Sequence, residues 1–251
     1  MSAAAQSSAF AQGQPCWIDI SVPDAATREG LMAFLGAVFG WTFDVGSADM
    51  GNYTMALHQG RPVCAIAEGT EGVGVWISYL NTTDIDDTVA RINANGGQAF
   101  LGPMEIPGQG VMGLAMDSVG AAFGFWQASG FAGFAATQEP GTPVWFMHDS
   151  NDPAAAATFY SAAFGLQVSD QDDSLLLGHG EISWMSLSPA EEGMQTQWQP
   201  VFAVESLAAS EAVATSSGGT VLMSGMPVPG GHASALADPA IGSVIVIYAA
   251  D

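Results

Sequence analysis

The stretch PCWIDISVPD at residues 15–24 is followed, 128 residues later, by PVWFMHDSND at residues 143–152. Both stretches have Trp at the third place and Asp at the tenth. Two further pairs of similar segments follow in the same order, AFLGAVFGWTF (33–43) with TFYSAAFGLQV (158–168), and DSVGAAFGFWQ (117–127) with DPAIGSVIVIY (238–248). A repeat of this length and order predicts two copies of one domain.

Each copy divides again into two modules of one helix and four strands. In the first copy, Asp24 can cap a helix that Gly40 ends, and three short strand-like runs follow. The same βαβββ order returns at residues 74–127, 143–189 and 198–249. The sequence therefore predicts the α+β class, with four βαβββ modules paired into two tandem cup-shaped domains. The predicted boundaries are a disordered N-terminus at 1–13, a first domain at 14–127, a connector at 128–141 and a second domain at 142–251.

The charge balance excludes several classes of partner. The chain has 25 acidic residues against three arginines and no lysine, for a net charge of −22. Binding to nucleic acid or to an anionic membrane needs clustered positive charge, which three scattered arginines do not provide. No apolar run reaches the ~20 residues of a membrane span. We expect a cytoplasmic monomer or homodimer whose partner is a small molecule, with secretion as the alternative.

Several motifs resemble one known family. They are PxWxD before a helix that ends in FGW, WISY followed by TTDID, PxxIPGQG, and DxxGAAFGFWQ, and together they extend from about residue 14 to residue 249. In these the chain resembles the vicinal oxygen chelate superfamily of glyoxalases, bleomycin-resistance proteins and extradiol dioxygenases. It looks most like the two-domain actinobacterial members of the glyoxalase-like or hydroxylase-like type. This resemblance implies paired βαβββ cups and a small-molecule site inside a cup.

The resemblance also implies a divalent metal, held by His, Glu or Gln side chains of the first and last strands of paired modules. At the matching positions this chain has Trp17, Ile77 (or Trp76) and Gly124 in the first domain, and Trp145, Gln199 and Val246 in the second. Only Gln199 is a ligand type, and a neutral one. The remaining ligand position falls at Cys64 or Ala65 in the first domain and at Ser183 or Trp184 in the second. We expect no cofactor and no metal ligand, with a divalent metal as the alternative.

Strand alternation predicts which side chains remain inside the cups. The first cup would contain Trp17, Asp19, Tyr79 and Trp126, an aromatic box with one carboxylate. Asp19 would have a raised pKa and act as general acid or base beside Tyr79, or else be a structural acceptor. The second cup would contain four strand residues and one residue of a loop above it, namely Trp145, Met147, Gln199, Tyr248 and His232. Because Met147 replaces Asp19, we expect the first cup to be the active one.

Two functions fit this sequence. The first is a glyoxalase-like or bleomycin-resistance-like protein that binds a small, partly aromatic or apolar molecule in a cup without the usual metal ligands. The alternative is an enzyme of secondary metabolism or aldehyde detoxification. It would be a lyase, isomerase, cyclase or oxygenase that uses Asp19 as acid or base, or an unplaced metal.

Overall fold

A computed structural model describes residues 10–69, 72–172, 174–191 and 193–251. Its first module consists of β1 (Pro15–Val22), α1 (Ala25–Phe39), β2 (Thr42–Val45), β3 (Thr54–His58) and β4 (Arg61–Glu68). The second consists of β5 (Trp76–Asn81), α2 (Ile85–Ala94), β6 (Gln98–Ile106), β7 (Gly110–Met116) and β8 (Ala122–Ala128). A short 3₁₀ turn, Ala48–Met50, lies between β2 and β3.

The second half of the chain repeats this order. The third module consists of β9 (Pro143–Ser150), α3 (Pro153–Phe164), β10 (Gln167–Gln171), β11 (Ser174–His179) and β12 (Ile182–Pro189). The fourth consists of β13 (Gln197–Ala203), α4 (Leu207–Ser216), β14 (Thr220–Val228), β15 (Gly231–Ala237) and β16 (Val244–Ala250). The predicted α+β class and the four βαβββ modules are confirmed.

The strands form two eight-stranded sheets, each from one half of the chain. Their strand orders are β2-β3-β4-β1-β5-β8-β7-β6 and β10-β11-β12-β9-β13-β16-β15-β14. The first and last strands of a module pair in parallel, as in β1 with β4 and β9 with β12. The two orders are identical once the strands are renumbered, so the sequence repeat is a repeat of topology.

The helix ends follow the local sequence. The carboxylate of Asp24 accepts a hydrogen bond from the Thr27 backbone N–H at the start of α1, and Asp152 does the same for Ala155 in α3. Gly40 and Gly165 end these two helices at φ of 70° and 74°, a left-handed conformation that glycine adopts without steric cost. These are the capping and stop signals predicted from the repeat.

The chain also divides into two compact units that group the modules differently from the sheets. One unit holds residues up to Trp17, Ile77–Gly133 and Phe146–Trp198, and so contains most of the second and third modules. The other holds Ile18–Trp76, Phe134–Trp145 and Gln199–Asp251, most of the first and fourth. We call them unit 1 and unit 2. Helices α2 and α3 are in contact in unit 1, and α1 and α4 in unit 2.

Each unit has an aromatic core beside its helices. In unit 1, the Phe123 ring has edge contacts with Phe159, Tyr160 and Phe164 of α3. In unit 2, Phe202 lies against Phe39, Trp41 and Trp76, with ring centroids 5.2 to 5.8 Å apart. Burial of such large rings stabilises both units.

Two segments are more ordered than the sequence predicts. The disordered N-terminus was expected at 1–13, of which 1–9 lie outside the described residues. Residues 10–13 are instead fixed by Asn81, whose side chain donates to the Phe10 and Ala11 carbonyls and whose carbonyl accepts from the Gly13 N–H. In the predicted connector, the N–H groups of residues 129–131 all point to the Gln109 carbonyl. No helix in the described ranges is long and apolar enough to cross a membrane.

Candidate functional site

β1 and β9 occupy the same place in their sheets and divide their side chains in the same way. On β9, Phe146, His148 and Ser150 are buried on the helix side, and Trp145, Met147 and Asp149 point to the opposite face. On β1, alternation gives Ile18 and Ile20 one side and Trp17, Asp19 and Ser21 the other. We call the face turned away from the helices the cup face.

The three aromatic residues of the predicted box, Trp17, Tyr79 and Trp126, lie in unit 1, and Phe131 packs against two of them. The Phe131 ring lies 4.9 Å from Trp17, edge to face, and 6.3 Å from Trp126. The Trp126 indole N–H donates to the Phe131 carbonyl over 2.9 Å. Phe131 belongs to the segment that was expected to be only a connector. Trp17, Tyr79 and Trp126 are all buried.

Tyr79 is packed against the backbone of the neighbouring strand. It pairs with Gly124 of β8, and a Cβ placed on Gly124 would lie 2.2 Å from a carbon of the Tyr79 ring. The ring therefore occupies the space that a side chain at position 124 would need. This is the position at which the resemblance expects the last-strand metal ligand.

Asp19 lies in unit 2 and is 6% exposed. Its carboxylate accepts a hydrogen bond of 3.0 Å from the Tyr53 hydroxyl, and its backbone pairs with Ala65 of β4. Burial, and secondarily the charge of Asp19, raise the pKa of the Cys64 thiol well above its usual value. The acid–base role of Asp19 and Tyr79 stays a prediction.

The cup face of the third module, in unit 1, is more open. Met185 and Leu187 of β12 are fully buried, so alternation places Trp184, Ser186 and Ser188 on the cup face. The register sets Ser186 beside Met147 and Ser188 beside Asp149. The members of this surface are all only partly buried, and they are Met147, Asp149, Leu176, Trp184, Ser186 and Ser188. We call this set the open face.

Asp149 is the titratable group of the open face. Burial raises the pKa of its carboxyl group, and the negative charge of Glu191 adds to the rise, against a lowering by His148. Asp149 is not among the residues predicted from the sequence, although it lies on the same strand face as Met147. Asp149 corresponds to Ser21, and strand alternation alone would have placed it in the second cup.

His179 stands at the edge of the open face. Its ring is 5.5 Å from that of Trp184, and its Nε2 is 2.9 Å from the Gln12 carbonyl. The contact with residue 12 also explains part of the order in the N-terminal segment.

The other predicted residues of the second cup lie in unit 2. Gln199 is 7% exposed and Trp145 is half-buried. Tyr248 pairs with Ala203 of β13 and donates its hydroxyl to the Gly230 carbonyl. His232 was expected in a loop over the cup; it lies instead in β15, exposed, 3.3 Å from the Asp251 carboxylate. Because Ala233 pairs with Tyr248, alternation turns His232 to the other face.

The helix side of β9 carries a buried polar network that β1 lacks. His148 and Tyr160 both bond one oxygen of Asp117, over 2.8 and 2.9 Å, and the Trp198 indole donates to the Tyr160 hydroxyl. Burial alone would raise the pKa of Asp117, but its hydrogen bond with His148, that residue's charge and two backbone N–H groups hold it below its usual value. Burial, and next the Asp117 charge, raise the pKa of Tyr160 well above its usual value. His148 therefore has a structural place on the helix side of β9, facing away from Met147.

Three comparisons with known proteins agree on the family. The protein named "Putative glyoxylase CFP32" of Mycobacterium bovis is 31% identical over 247 residues, which cover 92% of this chain and 93% of that protein. The chain belongs to the glyoxalase-like family. A family model described as a glyoxalase-like domain matches residues 145–244. The anthracycline biosynthesis protein DnrV of Streptomyces peucetius is 29% identical over 253 residues, covering 92% of this chain and 91% of DnrV.

Solved structures place this glyoxalase-like chain in the vicinal oxygen chelate fold. The Mn(II)-bound glyoxalase of Novosphingobium aromaticivorans has a TM-score of 0.69 at 16% identity, over 95% of this chain and 82% of that one. The 2,3-dioxygenase LapB of Pseudomonas sp. KL28 has a TM-score of 0.67 at 11% identity, over 96% and 93%. The predicted membership of the superfamily is confirmed.

The residues at the family's metal positions do not fit a metal ion. Trp17, Ile77 and Gly124 offer no ligand atom in the first domain, and Tyr79 covers Gly124. Trp76 lies in the aromatic core, and Ala65, which pairs with Asp19, takes the cup face instead of Cys64. In the second domain the matching positions hold Gln199, Trp145 and Val246, and only Gln199 has a side chain of a ligand type. Among the residues that the structure describes, no group of three His, Cys, Asp or Glu could hold a metal ion.

Proposed function

We propose that this glyoxalase-like protein binds a flat, partly apolar organic molecule at the cup face of its second domain, by contacts that need no metal. The open face carries the proposal. Trp184, Leu176 and Met147 supply apolar contact, while Asp149 and the serines supply polar groups. In the first domain, Phe131 packs against Trp17 and Trp126, two of the aromatic residues predicted for its cup. We therefore assign the second cup, and not the first, as the binding site.

The net charge of the protein and the name of one relative narrow the class of ligand. With a net charge of −22, the protein repels anions and favours neutral or cationic molecules. DnrV is named an anthracycline biosynthesis protein, which supports a polycyclic aromatic ligand. A half-exposed indole such as that of Trp184 offers the stacking surface that such a ligand uses.

The test is a titration of the purified protein with an anthracycline, followed by calorimetry and by Trp fluorescence. Saturable one-site binding is expected, and Trp184→Ala should weaken it about tenfold or more, the loss of one aromatic contact. The matched variant is Asp19→Asn, which should leave the affinity within about twofold. Equal loss in both variants, or binding that depends on added Mn²⁺ or Zn²⁺, would contradict the proposal.

A second function is favoured by one observation, the raised pKa of Asp149 on a partly open surface. A carboxyl group whose pKa is raised can exchange a proton with a bound substrate, as a lyase or isomerase requires. Mass analysis of the bound molecule after incubation separates the two functions. A binding protein returns the ligand unchanged, whereas an enzyme converts it, and Asp149→Asn would then retain binding and lose turnover.

A further inference from the structure

A cleft in unit 2 lies between α1 and the start of α4 and shares no residue with the open face. Its volume is about 310 Å³, at the lower end of the range for small-molecule sites. Val38, Phe39, Val204 and Val213 give it an apolar lining. Such a lining favours a compact ligand that is largely apolar.

The cleft also contains a polar side chain without a hydrogen-bond partner. Ser210 of α4 is 8% exposed, and its hydroxyl group makes no hydrogen bond with the residues that the structure describes. The hydroxyl oxygen is not one of the fully enclosed unpaired atoms, and the residue lines the cleft, so a molecule in the cleft can reach it. A mostly buried hydroxyl group without a partner lowers stability and needs a reason.

The second module shows how the same fold satisfies this position. Counted from the capping residues of α2 and α4, Thr88 corresponds to Ser210, and Thr82 corresponds to Val204. In the second module the two threonine hydroxyl groups are hydrogen-bonded over 2.6 Å. Val204 has no hydroxyl group, so the fourth module lacks this partner, and the same valine lines the cleft beside Ser210. The unpaired hydroxyl group is therefore a feature of this module and not a requirement of the fold.

The surroundings of Ser210 indicate which group it can bond. The residue lies at the end of the first turn of α4, where the backbone N–H groups produce a positive potential that favours an acceptor oxygen. Glu205 lines the same cleft and the net charge of the protein is −22, so an anionic ligand is repelled. A neutral carbonyl oxygen meets both conditions.

We propose that this cleft is a small-molecule site in which the Ser210 hydroxyl group donates a hydrogen bond to the carbonyl oxygen of a compact, neutral and largely apolar ligand. Ketones and esters are the chemical class that fits. Binding gives the hydroxyl group the acceptor that the protein does not supply. The proposal does not depend on the proposed function of the open face.

Two probes of equal shape test the proposal: cyclohexyl methyl ketone, and isopropenylcyclohexane, in which a methylene group replaces the carbonyl oxygen. Each is titrated into the full chain and followed by two-dimensional ¹H–¹⁵N NMR. The chemical-shift changes should concentrate in α4 and at the indole N–H of Trp41, which donates to the Gly141 carbonyl beside the cleft over 2.7 Å. The ketone should bind about fivefold more tightly, the worth of one hydrogen bond.

Three variants separate binding from folding. Ser210→Ala should bring the two dissociation constants within about twofold, without lowering the melting temperature, because the hydroxyl group has no partner to lose. Ala209→Phe places a ring in the cleft and should abolish binding of both probes. Ala208→Phe is the matched control, because Ala208 is exposed on the same helix and does not line the cleft, and it should bind both probes as the wild type does.

Equal affinity of the wild type for both probes, or a preference that persists in Ser210→Ala, would overturn the assigned hydrogen bond. A lower melting temperature of Ser210→Ala would do the same, because it would show that the hydroxyl group already has a partner. Absence of binding, shift changes elsewhere in the chain, or equal losses in the two phenylalanine variants would overturn the site. Trp184→Ala should leave these constants unchanged, so this proposal and the proposed function can fail separately.

Discussion

β1 and β9 hold the same place in two sheets of identical order, yet the two strands carry opposite polar arrangements. On the helix side β1 has Ile20 where β9 has His148, which is bonded to Asp117. On the cup face β1 has Asp19, bonded to Tyr53, where β9 has Met147, and β9 has Asp149 two places further on. The duplicated topology is thus compatible with very different interiors.

The difference bears on the proposed binding site. On the cup face of β1, Trp17 and Asp19 are buried, whereas the equivalent Trp145 and Met147 of β9 are only partly buried. In β9 the buried polar side chain, His148, lies on the helix side, where it bonds Asp117. The same topology therefore leaves the two cup faces accessible to different degrees.

The largest effect is expected from the polar network. Asp117→Ala leaves His148 and Tyr160 buried without their shared acceptor, and should lower the free energy of unfolding by about 3–5 kcal/mol. The equivalent change, Asp238→Ala, removes bonds from Ser243 and the turn N–H groups only, and should cost about 1–3 kcal/mol. Urea unfolding measures both. Equal costs would show that the network adds nothing to what the shared turn provides.

The second-largest effect is expected at Gly124, whose neighbour Tyr79 fills the space beside it. Gly124→Ala forces a methyl group against the Tyr79 ring and should cost about 1–3 kcal/mol. Gly69→Ala is the control, because nothing lies within 4 Å of its added Cβ, and it should change stability by less than about 0.5 kcal/mol. In a double-mutant cycle with Tyr79→Leu the cost should be less than additive. Additive costs would mean that Tyr79 does not fill this space.

A smaller effect is the opposite pH dependence of the stability that Asp149 of β9 and Asp117 of the polar network contribute. The pKa of Asp149 is raised in the folded state, so the stability linked to it is present at low pH and is lost as pH rises through the folded pKa. The melting temperature of Asp149→Asn should therefore increase relative to that of the wild type as pH rises from 4 to 8.

The pKa of Asp117 is lowered, so its contribution has the opposite sign: it is present above the usual Asp pKa of about 3.9 and is lost on acidification. Thermal melts across pH 2–8 check both slopes. A wild-type curve parallel to that of Asp149→Asn throughout would contradict the shift at Asp149.

The smallest effect is expected at His232. The side chains of the pair His232–Asp251 are 52% and 73% exposed, and solvent screens such a contact. His232→Ala should change the free energy of unfolding by less than about 0.5 kcal/mol and leave ligand affinity unaltered. A tenfold loss of affinity would restore the predicted place of His232 at the second cup.

Much of the fold could be predicted because it depends on local sequence patterns. Asp24, Asp84 and Asp152 cap helices where their spacing predicts, and the repeat sets the module order. The site residues stay a prediction. Alternation gives the direction of each strand side chain, since that direction is a local property of a strand. Whether that face is open depends on Phe131, which comes from a segment whose composition indicates only a connector.

By itself, the sequence determined the class, the four modules and the superfamily, because each depends on residue type and spacing along one strand or helix. Only the tertiary structure decided that Phe131 packs against Trp17 and Trp126, and that His148 shares Asp117 with Tyr160. These facts depend on distances between residues far apart in the chain, 31 between Asp117 and His148 and 114 between Trp17 and Phe131. Burial and hydrogen bonding are properties of such long-range contacts, which no local pattern specifies.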